Sequence, residues 1–172
     1  LSQISDPSVW ATSPVNTLLV NSANVSWEEA VAYCRSIGKR LPTEAEYERA
    51  CRGPEGWDFP WGNRADTTMA RYGLDWRSGA VSVGSYVPNP WGIYDLGGNV
   101  KEWVSDYYAR TYYRDSPVAD PQGPHAGRFK IARGGAWNGA GIDTRCADRG
   151  GAGTNQRGGY TLGFRCARSV GD

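Results

Sequence analysis

Residues 24–53, NVSWEEAVAYCRSIGKRLPTEAEYERACRG, hold two complete helix signatures in one short stretch. Ser26-Trp27-Glu28-Glu29 is a capping-box pattern: the serine takes an orphan backbone N–H and the glutamate returns the favour. Ala30, Val31, Cys34 and Ile37 then fall on one side, and Gly38 stops the helix. Thr43-Glu44-Ala45-Glu46 is a second box behind Pro42, followed by Tyr47, Ala50 and Cys51, with a stop at Gly53. The acid pairs Glu28/Glu29 and Glu44/Glu46 read as helix-start charges. Cys34 and Cys51 both fall near C-terminal helix ends.

On the N-terminal side, residues 1–25 are polar and give no strong periodic pattern. On the C-terminal side, Gly53 to Asn99 is written in turns: RGPEG, FPWGN, YVPNPWG, DLGGN. Trp57, Phe59, Trp61, Trp76 and Trp91 run through them, which predicts ordered loops whose rings are buried together. Trp103 to Tyr113 is aromatic again, and SPVADPQGPHAG (116–127) is a loop. Phe129–Ile131 and Leu162–Ala167 read as strands leading into and out of RGGAWNGAGIDTRCADR, residues 133–149. No internal repeat is found. The pattern predicts one α+β domain over 1–172, with two helices near its start, a small antiparallel sheet completed by the C-terminal residues, and long ordered loops.

Composition limits what such a domain does. With 172 residues and a formal charge of +1, bulk electrostatics favour neither nucleic acid nor an anionic membrane. Eight Trp, ten Tyr and 23 Gly against one Met suit a loop-rich fold pinned by rings rather than a helical bundle. No apolar run approaches the roughly 20 residues that cross a bilayer. The chain starts at Leu1, which predicts a processed form from which any targeting or lipid-anchoring segment has been removed. The four cysteines, Cys34, Cys51, Cys146 and Cys166, lack CxxC spacing, so a zinc or redox site is a poor reading. Four buried thiols and two long-range disulfides both remain open, the latter with three connectivities. Each bridge would close a loop of about 100 residues, worth up to about 4–5 kcal/mol in the chain-entropy model.

The stretch 24–53, together with FPWGN, WGIYDLGGNVKEWVSDYY, ARGGAW and LGFRCAR, resembles the formylglycine-generating-enzyme (sulfatase-modifying factor) family, a variant of the C-type lectin fold. The match runs in order from Asn24 to Arg168, and residues 1–23 fall outside it. There the family has an apolar, Gly-rich segment that is absent or much altered here. The resemblance implies the disulfides Cys34–Cys166 and Cys51–Cys146, and with them an oxidising location: the cell surface, the periplasm or outside the cell. It also implies a structural Ca²⁺ held by the side chains of Asp95 and Glu102 and the carbonyls of Gly98 and Val100, hard oxygen ligands on a glycine-turned loop. A second calcium site of the family would lie near Ala70–Asp75, where its asparagine is missing, and is expected to be lost.

Activity in that family depends on a cysteine pair after the GG-aromatic turn, where a thiolate binds copper and activates oxygen. The matching segment here, Gly139–Thr144, is shorter and contains no cysteine. His125, the single histidine, sits in a Pro/Gly loop that offers no Ser-His-Asp arrangement. No catalytic residue, no copper and no enzyme are therefore expected.

A non-catalytic branch of this fold fits better: the variable proteins of diversity-generating retroelements. Their exposed binding residues are rewritten by adenine-specific mutagenesis, mostly at AAY codons, inside a fixed frame like RGGSWN…RCA…GFR. That frame is similar to Arg133–Asn138, Arg145-Cys146-Ala147, Arg149, Arg157 and Gly163-Phe164-Arg165. Gly139, Ala140, Ile142, Asp143, Thr144, Asp148, Gly150, Gly151, Ala152, Gly158, Gly159 and Tyr160 all obey the codon rule and are the expected ligand-binding positions. Many Gly-rich loops obey it too, so the frame carries most of the weight. Trp137 is read as packing under the glycine turn rather than as an exposed floor. Mostly Gly and Ala at the variable positions predicts a weak or absent ligand for this version, with a protein as the partner class. A fixed lectin-fold module binding a small ligand or peptide is the alternative. The formylglycine-generating oxidase is a third reading, which the missing cysteines disfavour.

Overall fold

The computed structural model describes residues 25–153 and 159–168, with the backbone alone for 151–153. Both helices form where their capping boxes place them. α1 spans Trp27–Ser36 and α2 spans Glu44–Arg52. In α2 the Glu46 N–H donates to Thr43 Oγ1 at 3.1 Å, and Glu46 Oε2 accepts the Thr43 N–H at 2.7 Å. Glu46 also accepts both Arg40 guanidinium nitrogens at 2.7 Å, which fastens the α1–α2 connection. Glycine ends α2: Gly53 has a φ of 64°, a conformation that costs other residues free energy.

Four strands follow: β1 Lys101–Tyr107, β2 Phe129–Arg133, β3 Gly150–Gly153 and β4 Leu162–Phe164. Their order in the sheet is β3-β2-β1-β4. β1–β2 and β2–β3 are antiparallel, whereas β4 runs parallel to β1 in the register Lys101↔Leu162, Glu102↔Gly163, Trp103↔Phe164. The sheet is therefore mixed, not antiparallel as expected. The chain between β1 and β4 is long enough for the crossover that a parallel pair requires. β4 is also shorter than predicted; Ala167 instead makes an isolated bridge to Arg40.

The sheet is covered on both faces. On one, Tyr47, Ala50 and Cys51 of α2 pack with Val104, Ile131 and Leu96. On the other, Ala30 and Cys34 of α1 pack with Trp103, Ala132, Leu162 and Phe164. Neighbours such as Trp103 and Val104 thus both lie in a core, on opposite faces. The disulfides join the helices to the later half of the chain: Cys34–Cys166 behind α1 and Cys51–Cys146 behind α2. Both pairs are those implied by the resemblance.

Most of the aromatic loops are ordered as expected. Trp61 lies flat between Phe59 (5.5 Å, 19°) and Tyr72 (6.3 Å, 4°). Asn89 pins the PNPWG turn to the end of α2 by donating to Ala50 O at 2.7 Å and accepting the Trp91 and Ile93 N–H groups. Trp76 departs from expectation: it is 69% exposed.

Candidate functional site at one end of the sheet

The registers fix where the later segments lie. Glu102 pairs with Arg133, Ala132 with Gly150 and Lys101 with Leu162. The start of β1, the end of β2, the start of β3 and the start of β4 therefore share one end of the sheet. Residues 134–149 span the gap between β2 and β3 there, and Gly159–Thr161, a 3-10 turn, enters β4 from the same end.

Two glycines launch the first segment. Gly134 (φ 94°) passes Tyr47 so closely that a Cβ would lie 2.5 Å from its hydroxyl, which donates to Leu96 O. Gly135 (φ 70°) passes Asp143 O as closely, with a Cβ at 2.9 Å. Trp137 is buried against Val100, Ala80 and Val83, a packing role as read from the sequence. A 3-10 turn, Gly141–Thr144, then folds back, and Asp143 Oδ2 caps it by accepting the Ala140 N–H at 3.0 Å.

The frame arginines are held by buried acids. Arg133 and Glu44 are each 1% exposed and pair through Nη1 and Oε1; Arg133 also reaches Glu48 at 3.2 Å and the carbonyl of Cys146. Arg149 grips the same Glu44 with two bonds, 2.7 and 2.8 Å, and lies 5.1 Å from the rings of both Tyr108 and Tyr113. Asp106 Oδ2 accepts the Glu44 N–H at 2.7 Å. Glu44 stands in the first turn of α2, as expected, and is also the hub of the scaffold; sequence patterning carried no sign that its side chain would turn inward. Such a network is specific in geometry, and removing one partner strands the other without compensation.

The filling between these anchors divides. Ala140, Ile142, Gly159 and Tyr160 are exposed, with Ile142 at 58% and Tyr160 at 78%. Gly139, Asp143, Asp148 and Gly150 are half-buried. Burial, then the nearby Asp143 charge, push the Asp148 carboxyl above its ordinary range. A Cβ at Gly139 would meet Asp143 Oδ2 at 2.9 Å, and one at Gly150 would meet Ala132 O at 3.0 Å, so both positions favour glycine. Thr144 is a correction: it is fully buried, donates to Gly141 O at 2.7 Å, and presents nothing to a ligand. Gly151 and Ala152 lie in β3, paired with Ile131 and Lys130. Gly158 and Arg157 fall outside the described residues. Asn138 and Ala147, assigned to the frame, are exposed.

The expected calcium cage is arranged differently. Glu102, 1% exposed, gives both carboxylate oxygens to Arg165, one bond measuring 2.7 Å. The same guanidinium donates to the carbonyls of Tyr94 and Asp95 at 3.0 and 3.1 Å, while Asp95 Oδ2 accepts the Gly84 N–H. Burial pushes the carboxyls of Glu102 and Asp95 above their ordinary range. A guanidinium on both Glu102 oxygens repels a divalent ion, so Asp95, Gly98, Val100 and Glu102 do not fit the oxygen cage of a calcium site as they stand.

Residues 20–170 match the family described as the sulfatase-modifying factor enzyme 1-like domain, slightly beyond the Asn24 boundary read from the motifs. The chain belongs to this family. Among its relatives, the protein named serine/threonine-protein kinase pkn1 of Chlamydia caviae is 41% identical over 85% of this chain and 24% of its own length. The formylglycine-generating enzyme of Streptomyces coelicolor is 38% identical over 86% of this chain and 52% of its own. The chain thus spans about a quarter to a half of these family members. Among solved structures, Treponema denticola variable protein 1 superposes with a TM-score of 0.65 at 32% identity, covering 76% of this chain and 48% of that one.

Proposed function

We propose that this chain is a non-enzymatic ligand-binding domain of the variable-protein kind, displayed at the cell surface or outside the cell, with a protein as its ligand class. The observation that carries this function is the common sheet end: fixed arginines are locked inward there while Ala140, Ile142, Gly159 and Tyr160 face out. A surface whose side chains add little to the fold is free to change, as antibody loops are on their sandwich. Likeness to the Treponema denticola variable protein supports the same function. All four cysteines of the chain stand in disulfides, which leaves no thiolate in Gly139–Thr144 for copper and argues against the oxidase. The two disulfides suit an oxidising location. Among the described residues, no helix is long and apolar enough to cross a membrane.

One set of observations favours a fixed module instead. Thr144 is buried and a Cβ at Gly139 or Gly150 would be crowded, so fewer positions tolerate change than the codon rule allows. Sequencing codons 130–168 in many cells of one producing population decides between them. Diversification predicts substitutions at Ala140, Ile142, Asp148 and Tyr160 with silent codons at Arg133, Thr144, Arg149 and Arg165. A uniform segment would leave the fixed module. Copper-dependent oxygen uptake with a cysteine peptide is expected to be nil, and its appearance would restore the oxidase.

A further inference from the structure

Trp76 is the largest exposed aromatic ring beside the candidate binding face, and the loop that carries it is rigid. Gly73 N–H donates to Gly139 O at 2.8 Å and Leu74 N–H to Trp137 O at 2.9 Å, so the loop is bonded directly to the segment behind the glycine turn. Arg71 closes its base, with Nε and Nη2 on the carbonyls of Gly79 and Ser78 and its own carbonyl on the Asn99 N–H. Asp75 fixes the tip by accepting the Arg77 N–H at 2.9 Å. Leu74 beside it is 38% exposed, and across the bonded segment Ile142 is 58% exposed. The Arg77 guanidinium lies 5.1 Å from the Trp76 ring and makes no ion pair among the described residues.

We propose that Trp76 and Arg77 form an invariant anchor of the binding face, one that seats in an apolar pocket flanked by a carboxylate on a folded protein partner. The backbone bonds have already ordered the loop, and a tryptophan has only two side-chain torsions left to fix, so docking the ring costs little further entropy. Trp and Arg are the residues most enriched at the energetic centre of protein interfaces, and the unpaired guanidinium selects an acidic rim. The anchor also removes a weakness of the variable positions, whose side chains here are mostly small: a fixed ring supplies the contact area and the changing residues supply the discrimination.

This inference rests on the ligand-binding function above, and its test separates the two. Two display libraries diversified at Ala140, Ile142, Asp148 and Tyr160, one with Trp76 and one carrying Trp76→Ser, are selected on immobilised ovalbumin, an acidic folded protein. The Trp76 library is expected to yield at least tenfold more binders, and its selected clones to lose at least tenfold in affinity on Trp76→Ser with an unchanged unfolding temperature. Equal yields with clones indifferent to Trp76→Ser would overturn the anchor and leave the binding face standing. No binders from either library would overturn both. Self-association of the unselected chain that Trp76→Ser abolishes would assign the ring to a second copy and overturn the protein-ligand anchor.

Discussion

Glu44 binds two arginines with one buried carboxylate, and Glu102 holds a third, so single side chains carry the frame of the candidate site. Glu102→Ala would leave Arg165 buried with only carbonyl partners, and the expected loss is about 3–5 kcal/mol, read from the urea midpoint. Loss of under 1 kcal/mol would mean that Arg165 finds another partner. The filling offers a paired test. Gly139→Ala forces a Cβ against the Asp143 carboxylate and the Ala136 carbonyl and is expected to lower the unfolding temperature. Ala140→Ser, one residue on and exposed, is expected to change stability by less than about 0.5 kcal/mol. Equal effects at the two positions would contradict the close contact at Gly139. The burial of Glu44 could not be placed from sequence, because it depends on Arg133 and Arg149, about a hundred residues away. That of Thr144 could not because it depends on how the 3-10 turn folds back onto the glycine pair.

At the scale of elements, the helices were legible and the sheet only partly. A capping box is a local device, satisfied within four residues, and both helices begin where the boxes stand. β1 was not legible: KEWVSDY shows no clean alternation because both faces of the strand are buried and both of its acids are buried and hydrogen-bonded rather than exposed. β4's direction was not legible either, since parallel pairing is decided by the route of the intervening chain. The disulfides bind these elements together. Replacing Cys51 and Cys146 jointly by alanine is expected to cost about 2–5 kcal/mol, with α2 released from the segment that leads to β3. Guanidinium unfolding of the double variant checks it; a cost near zero would show that the Glu44 network alone holds that contact.

Across the whole molecule, buried acids make stability depend on pH. Burial pushes the Asp106 carboxyl up to about 6, although the Glu44 N–H and the Ser105 hydroxyl pull it down. Its folded value lies above the ordinary 3.8, so between about 4 and 6 the folded chain holds more of this proton than the unfolded one. Stability from this group is therefore greatest on the acid side and falls as pH rises to about 6. Glu102, Asp95 and Asp148 shift in the same direction. Asp106→Asn is expected to flatten the decline between pH 4 and 6, and urea midpoints in that range test it; an unchanged slope would acquit Asp106. The candidate face was legible as a frame with a filling. Its neighbours were not, because the loop of Leu74 and Trp76 lies some sixty residues earlier and only the backbone bonds from Gly73 and Leu74 to Gly139 and Trp137 bring it alongside.

The parallel pairing of β4 with β1 has a consequence for how the chain is made. During synthesis β1 emerges with one edge open, and it stays open until every residue through Phe164 has left the ribosome. Residues 134–161 are part of that wait. Contacts between distant stretches form slowly, and the exposed strand invites aggregation meanwhile. A substitution anywhere in residues 134–161 that slows the arrival of this last strand prolongs that exposure, even where it costs the finished fold nothing.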